Sequence, residues 1–264
     1  MPYVTHKGIR IHYEVKGGGV PLVLHHSLTR SLDTWQDFGY VQELVGNYQL
    51  ILVDARGHGA SDKPHDPAAY RAECMVGDLM AVLDDLGIGK THYYGYSLGA
   101  LVGFRIAKYA QSRFQSLILG GGNPYSFRTA EEKQFLGEIR EAMRMGAKQG
   151  MGAVVAFLEK TAGPMPPEAK ARVLANDPQA LLAVLKALEE WPSAEDLLPT
   201  MGVPCLVYAG EADPFYSGAE ECVDRMPNAT FIALPGLGHT PALYRSDLVL
   251  PYVSSFLAKV RRES

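Results

Sequence analysis

Apolar residues recur along this chain in short unbroken runs: "PLVLHH" (21–26), "YQLILVD" (48–54), "THYYGYS" (91–97) and "QSLILGG" (115–121). Each is closed by polar or glycine-rich sequence. Runs of this length without alternation predict strands buried on both faces. Stretches of helical period lie between them. In 73–86, "ECMVGDLMAVLDDL", the residues Met75, Leu79, Val82, Leu83 and Leu86 share one face. Ahead of the first run, 3–15 ("YVTHKGIRIHYEV") alternates around "KG" and predicts a β-hairpin closed by the Gly17–Gly19 turn. Strands alternating with helices predict the α/β class, a mostly parallel central sheet with helices on both faces.

The rhythm changes after Gly122. Residues 123–199 carry helical patterns only, in "TAEEKQFLGEIREAMRMG", "GAVVAFLEKTA" and "DPQALLAVLKALEEW", with Gly163, Pro164, Pro166 and Pro167 as breakers. Strand–helix alternation resumes with "VPCLVYAG" and "ATFIALPG" and ends in the helix "SDLVLPYVSSFLAKV". One core domain, 1–122 plus 200–264, is therefore expected. The 123–199 insertion reads as a helical lid upon it, because long excursions between strands are usually functional.

Composition narrows the classes of function. The 264 residues are 47% hydrophobic and 20% charged, with a formal net charge of −4. That balance argues against nucleic acid or an anionic membrane as the main partner. Three widely spaced cysteines, Cys74, Cys205 and Cys222, make neither a disulfide framework nor a zinc site and fit a reducing cytoplasm. The opening "MPYVTHKGIR" lacks the apolar core of a signal peptide, and no apolar run approaches a membrane span. A soluble, cytoplasmic protein is expected.

Two phosphate-loop look-alikes fail on context. "GIGKT" (87–91) has Asp84 where a Walker A loop needs glycine, and it sits between helix and strand in the wrong order. "LILGGGNPY" has Tyr125 at the third glycine position of a dinucleotide fingerprint. The informative stretch is "YYGYSLGA" (93–100), where Gly95-Tyr96-Ser97-Leu98-Gly99 lies between a strand and the helical pattern "SLGALVGFRIAKYA". Turning from strand to helix within two residues strains the serine, and flanking glycines let the neighbouring backbone pass without a Cβ clash. The hydroxyl then stands at the sheet edge before a helix N-terminus, which favours developing negative charge.

A serine hydroxyl needs a base and an orienting acid, and with this elbow the chain order is Ser, acid, His. Downstream of Ser97 the chain has one histidine, His239, in the glycine-bordered loop "LPGLGHTPAL". The acid is expected at Asp213 in "GEADPFY", deeper in its loop than Glu211; the other loop that could supply an acid holds Asn123. The adjacent pair His25-His26 is not expected to bind metal, since neighbouring residues on a strand point to opposite faces.

Taken together, the opening hairpin, "DARGHGASDKP", "GYSLGA", "GEADP" and "GLGHTP" resemble α/β-hydrolase-fold enzymes of the carboxylesterase, lactonase and C–C hydrolase type, over essentially the whole chain. The resemblance implies a Ser97–Asp213–His239 triad with no cofactor and no metal. It makes Asp54, Arg56 and His58 scaffold, and it places the oxyanion hole at the N–H groups of Ser27 and Leu98. His25 aligns with the family histidine, whereas His26 stands where the family has glycine. Whether that bulk narrows the acyl pocket is open at this level. Ser27 followed by leucine, with Trp35 downstream, is similar to the 3-oxoadipate enol-lactonase subgroup. The implied activity is hydrolysis of small carboxylic esters; lactone hydrolysis, C–C bond hydrolysis and a slow-turnover ligand receptor are the alternatives. His26, Tyr125, Phe127 and Trp191 are expected to line the substrate pocket, with Phe135, Met143, Met145, Phe157 and Met165 as further apolar candidates. Arg128, Arg140 and Arg144 are candidates to grip a substrate carboxylate.

Overall fold

The computed structural model describes residues 2–263. Eight strands form one sheet: β1 (Tyr3–His6), β2 (Ile9–Lys16), β3 (Val20–His25), β4 (Tyr48–Val53), β5 (Thr91–Tyr96), β6 (Phe114–Gly120), β7 (Cys205–Gly210) and β8 (Ala229–Leu234). Their order is β1-β2-β4-β3-β5-β6-β7-β8. The hairpin β1–β2 is antiparallel and joins β4 antiparallel, and every pairing from β4 onward is parallel. The hairpin turns at Lys7 and Gly8, both at positive φ. Paired positive φ values match the right-handed twist of the flanking strands.

Each buried strand feeds two cores, because successive side chains point to opposite faces. Val23, Ile51, Val53, Tyr93, Leu117 and Val207 face the helices Ala72–Asp85 and Leu98–Tyr109. Leu22, Leu24, Leu50, Leu52, Tyr94 and Ile118 face Trp35, Tyr40 and the last helix, Ser246–Glu263. A sheet covered on both faces explains why the strand sequences show no alternation. β5 runs to Tyr96, since Gly95 and Tyr96 still pair with Leu119 and Gly120 of β6.

Between β6 and β7 the described residues contain helices and no strand. The helices are Ala130–Gln149, Gly152–Ala162, Pro167–Leu174 and Pro178–Glu190. Thr129 and Glu132 form a reciprocal capping box at the first, and Asp177 accepts from the N–H groups of Gln179 and Ala180 at the last. The helix Pro167–Leu174 was not legible from its prolines, which read as breakers. Pro167 instead occupies the first helical position, where its missing N–H costs nothing. The segment has an apolar cluster of its own, including Leu136, Met143, Val154, Leu158 and Leu185. It is also tied to the main core, where Val184, Leu188 and Trp191 are buried. No helix among the described residues is long and apolar enough to cross a membrane.

Several histidines are buried in this framework. Burial, then the nearby His26, pushes His58 down to about 3, and burial, then Arg261, pushes His92 down to about 4. The unfolded chain therefore takes up protons first, at the ordinary value of ~6.5. Stability is intact above that value and is lost as pH falls from it toward 4. Urea unfolding should show this between pH ~6.5 and ~4.5, with a slope approaching about 1.4 kcal/mol per pH unit for each buried histidine. His92→Gln should make the slope shallower. A free energy of unfolding constant across that window would contradict the assignment.

Candidate active site

Chain order and sheet order diverge at one place. β4 lies on one side of β3 and β5 on the other. The loops leaving the carboxyl ends of β3 and β5 therefore run apart and open a crevice, the usual ligand position in such sheets. Ser27 follows β3, and Ser97 follows β5.

Ser97 has φ 53° and ψ −108°, a conformation that L residues rarely adopt, directly before the helix Leu98–Tyr109. Strain of this kind costs about 1–3 kcal/mol and persists only where the surroundings enforce it. Here the Ser97 N–H donates to the Gly120 carbonyl at 2.8 Å, and the Gly99 N–H donates to the His26 carbonyl at 3.2 Å. The glycines are needed for contact. A Cβ on Gly95 would lie 2.4 Å from the Gly99 carbonyl, and one on Gly99 would lie 2.1 Å from the His25 carbonyl oxygen.

The expected acid, base and nucleophile come together. His239 Nε2 is 3.0 Å from Ser97 Oγ, and His239 Nδ1 is 2.8 Å from Asp213 Oδ2. A carboxylate only accepts, so Nδ1 carries the ring proton and Nε2 is left to accept from the serine hydroxyl. Asp213 is fully buried, its Oδ1 taking the Phe215 N–H at 3.0 Å. His239 opens the helix His239–Tyr244, among the rings of Tyr96, Phe135 and Phe215. Glu211 instead faces solvent and accepts from the Gly236 N–H at 3.1 Å. Asn123 is buried and braces the loop of Asp213: its Nδ2 donates to Glu132 Oε1 at 2.6 Å and to the Phe215 carbonyl at 3.5 Å. Glu132, wholly buried, had no signal in sequence beyond its place in a capping box.

The paired histidines work beneath this group. Tyr93 gives its one hydroxyl proton to the Gly99 carbonyl at 2.7 Å, so His25 Nδ1, 2.8 Å away, donates to Tyr93. His26 Nδ1 donates to the Ser27 carbonyl at 2.8 Å, and its Nε2 accepts from the Ala55 N–H at 3.0 Å. Both His26 nitrogens are thus engaged in holding the Ser27 loop to the loop that follows β4. Burial holds both rings below the ordinary histidine value, which fits these neutral roles. Asp54 anchors the second loop: it accepts from His12 Nδ1 and from the N–H groups of Leu32 and Ala60, all within 2.9 Å. Arg56 forks onto Asp78, with Nε at 2.6 Å from Oδ2 and Nη2 at 2.5 Å from Oδ1. His58 packs edge-on against His26, 5.2 Å between centroids.

A narrow cavity of about 50 Å³ reaches Ser97 and His239. Its walls correct the sequence expectation. His26, Tyr125, Phe127 and Trp191 are absent from them. The His26 side chain is wholly buried under the Ser27 loop, so its bulk does not narrow the cavity. Tyr125 lies under Arg128 and bonds Glu221, Phe127 packs near Phe215, and Trp191 donates to the Tyr70 carbonyl. The apolar walls come from Leu28, Phe135, Ile139, Met143, Phe157 and Leu243. Arg128, Arg140 and Arg144 are each paired with a surface glutamate, and none of them lines the cavity. Ser27 lines it with Ser97 and His239. Leu98 buries its side chain below and offers an N–H from the first turn of its helix.

Fold and site together define a protein class. Residues 20–245 match the family model described as alpha/beta hydrolase fold, and the chain belongs to that family. It is 27% identical to a non-heme haloperoxidase from Rhodococcus erythropolis over 97% of this chain and 99% of that one. A thermophilic esterase from Thermogutta terrifontis superposes with a TM-score of 0.83 at 25% identity, covering 98% of both chains. The enol-lactonase from Burkholderia xenovorans gives 0.81 at 22% identity, covering 97% and 100%, a likeness of fold alone.

The Gly99 contact yields a direct expectation. Gly99→Ala should cost about 1–3 kcal/mol through overpacking against backbone. Gly137→Ala, where a Cβ meets nothing within 4 Å, should be neutral or add up to about 1 kcal/mol of helix propensity. Urea denaturation of the two variants checks this, and equal stability would mean that the elbow is not tightly seated.

Proposed function

We propose that the protein is a serine hydrolase that cleaves small carboxylic esters through an acyl-enzyme. The observation carrying this reading is the hydrogen-bonded line from Ser97 Oγ through His239 to buried Asp213. Ser97 Oγ attacks the acyl carbonyl carbon while His239 Nε2 takes its proton. The N–H groups of Ser27 and Leu98 stabilise the oxyanion. As the tetrahedral intermediate collapses, His239 returns the proton to the departing alcohol. Water then attacks the acyl carbon, giving a proton to the same histidine. The bond to Ser97 Oγ breaks as Oγ takes that proton back, and the carboxylic acid leaves. Asp213 fixes the His239 tautomer and stabilises the imidazolium.

Residues 123–199 act in this proposal as the lid. Phe135, Ile139, Met143, Val154, Phe157 and Leu158 roof the cavity, and a closed apolar roof strengthens every polar interaction beneath it. The cavity's size supports small acyl groups and small leaving alcohols. The name of the esterase above supports the same acyl chemistry.

A panel of short-chain aryl esters and simple lactones tests the reading. Ser97→Ala should lower turnover by roughly 10⁴–10⁶-fold. Wild-type rates in that variant would rule the assignment out. Asp213→Asn should lower kcat by roughly 10⁴-fold with the fold intact, because the amide favours the wrong tautomer. A loss below about tenfold would reassign the acid.

A further inference from the structure

Arg30 is the one arginine among the residues lining the cavity that holds Ser97 and His239, and it also borders two neighbouring pockets; no sequence pattern pointed to it. It is 6% exposed. Its guanidinium contacts the Tyr244 hydroxyl and, at 3.5 Å, the sulfur of Met165, and it lies over the Tyr244 ring. Of its five N–H donors, three have no protein acceptor among the described residues. No carboxylate among those residues is in ion-pair contact with it. Asp37, which pairs with Arg172, acts on it only at longer range, whereas buried Arg56 is fully forked by Asp78. A nearly buried arginine without a counter-ion is costly and is usually compensated.

Position adds to charge. Arg30 sits in a tight turn with Ser27, its N–H donating to the Ser27 carbonyl at 3.2 Å. The turn depends on Thr29 at φ 67° and is pinned by Asn176 Nδ2 on the Thr29 carbonyl at 2.9 Å. One turn therefore carries both Ser27 and Arg30 to the cavity wall. The partners of Arg30 come from the helix of His239 (through Tyr244) and from the segment proposed as the lid (through Met165). The remaining walls are mostly apolar.

We propose that Arg30 is a carboxylate-binding residue of the substrate cavity, so that the preferred substrates are small esters or lactones bearing a free carboxylate. This rests on the ester-hydrolase reading above. A planar guanidinium with spare donors matches a carboxylate, and pairing inside an apolar cavity is stronger than at the surface. Selectivity follows from both sides: the anion gains a partner, whereas a neutral substrate leaves the buried charge unpaired.

The test compares monomethyl glutarate with methyl 5-methylhexanoate, in which an isopropyl group replaces the carboxylate at similar shape. Wild type should favour the anionic ester in kcat/KM by about tenfold or more, the effect of one hydrogen bond to a charged group. Arg30→Gln should lower the anionic-to-neutral ratio by about the same factor, and Arg30→Lys should restore part of it. The ratio is the readout, because a general disturbance of the cavity lowers both rates together. An unchanged ratio in Arg30→Gln, or a wild-type preference for the neutral ester, would overturn the proposal. If the variants do not fold, wild type alone decides: glutarate should compete with a neutral aryl ester where glutaramide does not, and equal inhibition overturns the idea. Failure of the underlying reading is separable. In that case wild type would turn over no ester beyond the Ser97→Ala blank. Thermal stabilisation by glutarate, present in Ser97→Ala and lost in the Ser97→Ala, Arg30→Gln double variant, would still decide the role of Arg30.

Discussion

The site depends on one close approach of backbone to backbone. The helix that begins after Ser97 can meet the end of β3 only because residue 99 has no side chain; a Cβ there would stand 2.1 Å from the His25 carbonyl oxygen. That contact brings the loop of Ser97 beside the loop of Ser27, and both serines line one cavity as a result. It also explains how Ser97 remains at φ 53°. The strain is local, while the hydrogen bonds that hold it reach β6 and the β3 loop. The serine is over-determined by elements far apart in sequence, which is the condition under which such strain survives.

Beneath the crevice lies a layer of polar groups kept neutral or paired. His25 braces the elbow through Tyr93, and His26 ties the Ser27 loop to the loop after β4. Where a glycine would leave the Ser27 loop without a side-chain tie, His26 supplies two directed hydrogen bonds. Asp54 takes three donors from three separate segments. Burial alone would raise its carboxyl, but His12, His26 and the N–H groups around it outweigh that and hold it below the usual range. These groups are rigid because each would be costly to leave unpaired in a low-dielectric interior. His239, by contrast, is half-buried and lines the cavity, with Nε2 turned to the Ser97 hydroxyl.

The elements of the sheet were legible because buried strands have a local signature, and their bounds differ from the apolar runs by one to two residues. The group Ser97, Asp213 and His239 was legible for a different reason. The elbow is a five-residue pattern with a geometric cause, and once it is placed, chain order leaves a single histidine to serve it. The cavity walls were not legible. Tyr125, Phe127 and Trp191 have the composition of pocket residues, but each is used in packing. Phe135, Met143 and Phe157 have the same composition and do line the cavity. Periodicity places a residue on a face of a helix and does not say whether that face meets protein or empty space.

Charge followed the same rule. Arg128, Arg140 and Arg144 stand out in the helical segment, yet each finds a glutamate at the surface. Arg30, in a loop with no pattern around it, is the one that lines the cavity. By itself the sequence determined the class of fold, the elbow and the order of the groups around it, because those follow from local stereochemistry and from strand and helix periods. Only the tertiary structure decided what surrounds the serine. Burial and pairing are properties of neighbours brought together across the sheet, and His26, which sits beside the site in sequence, turns out to support it from below.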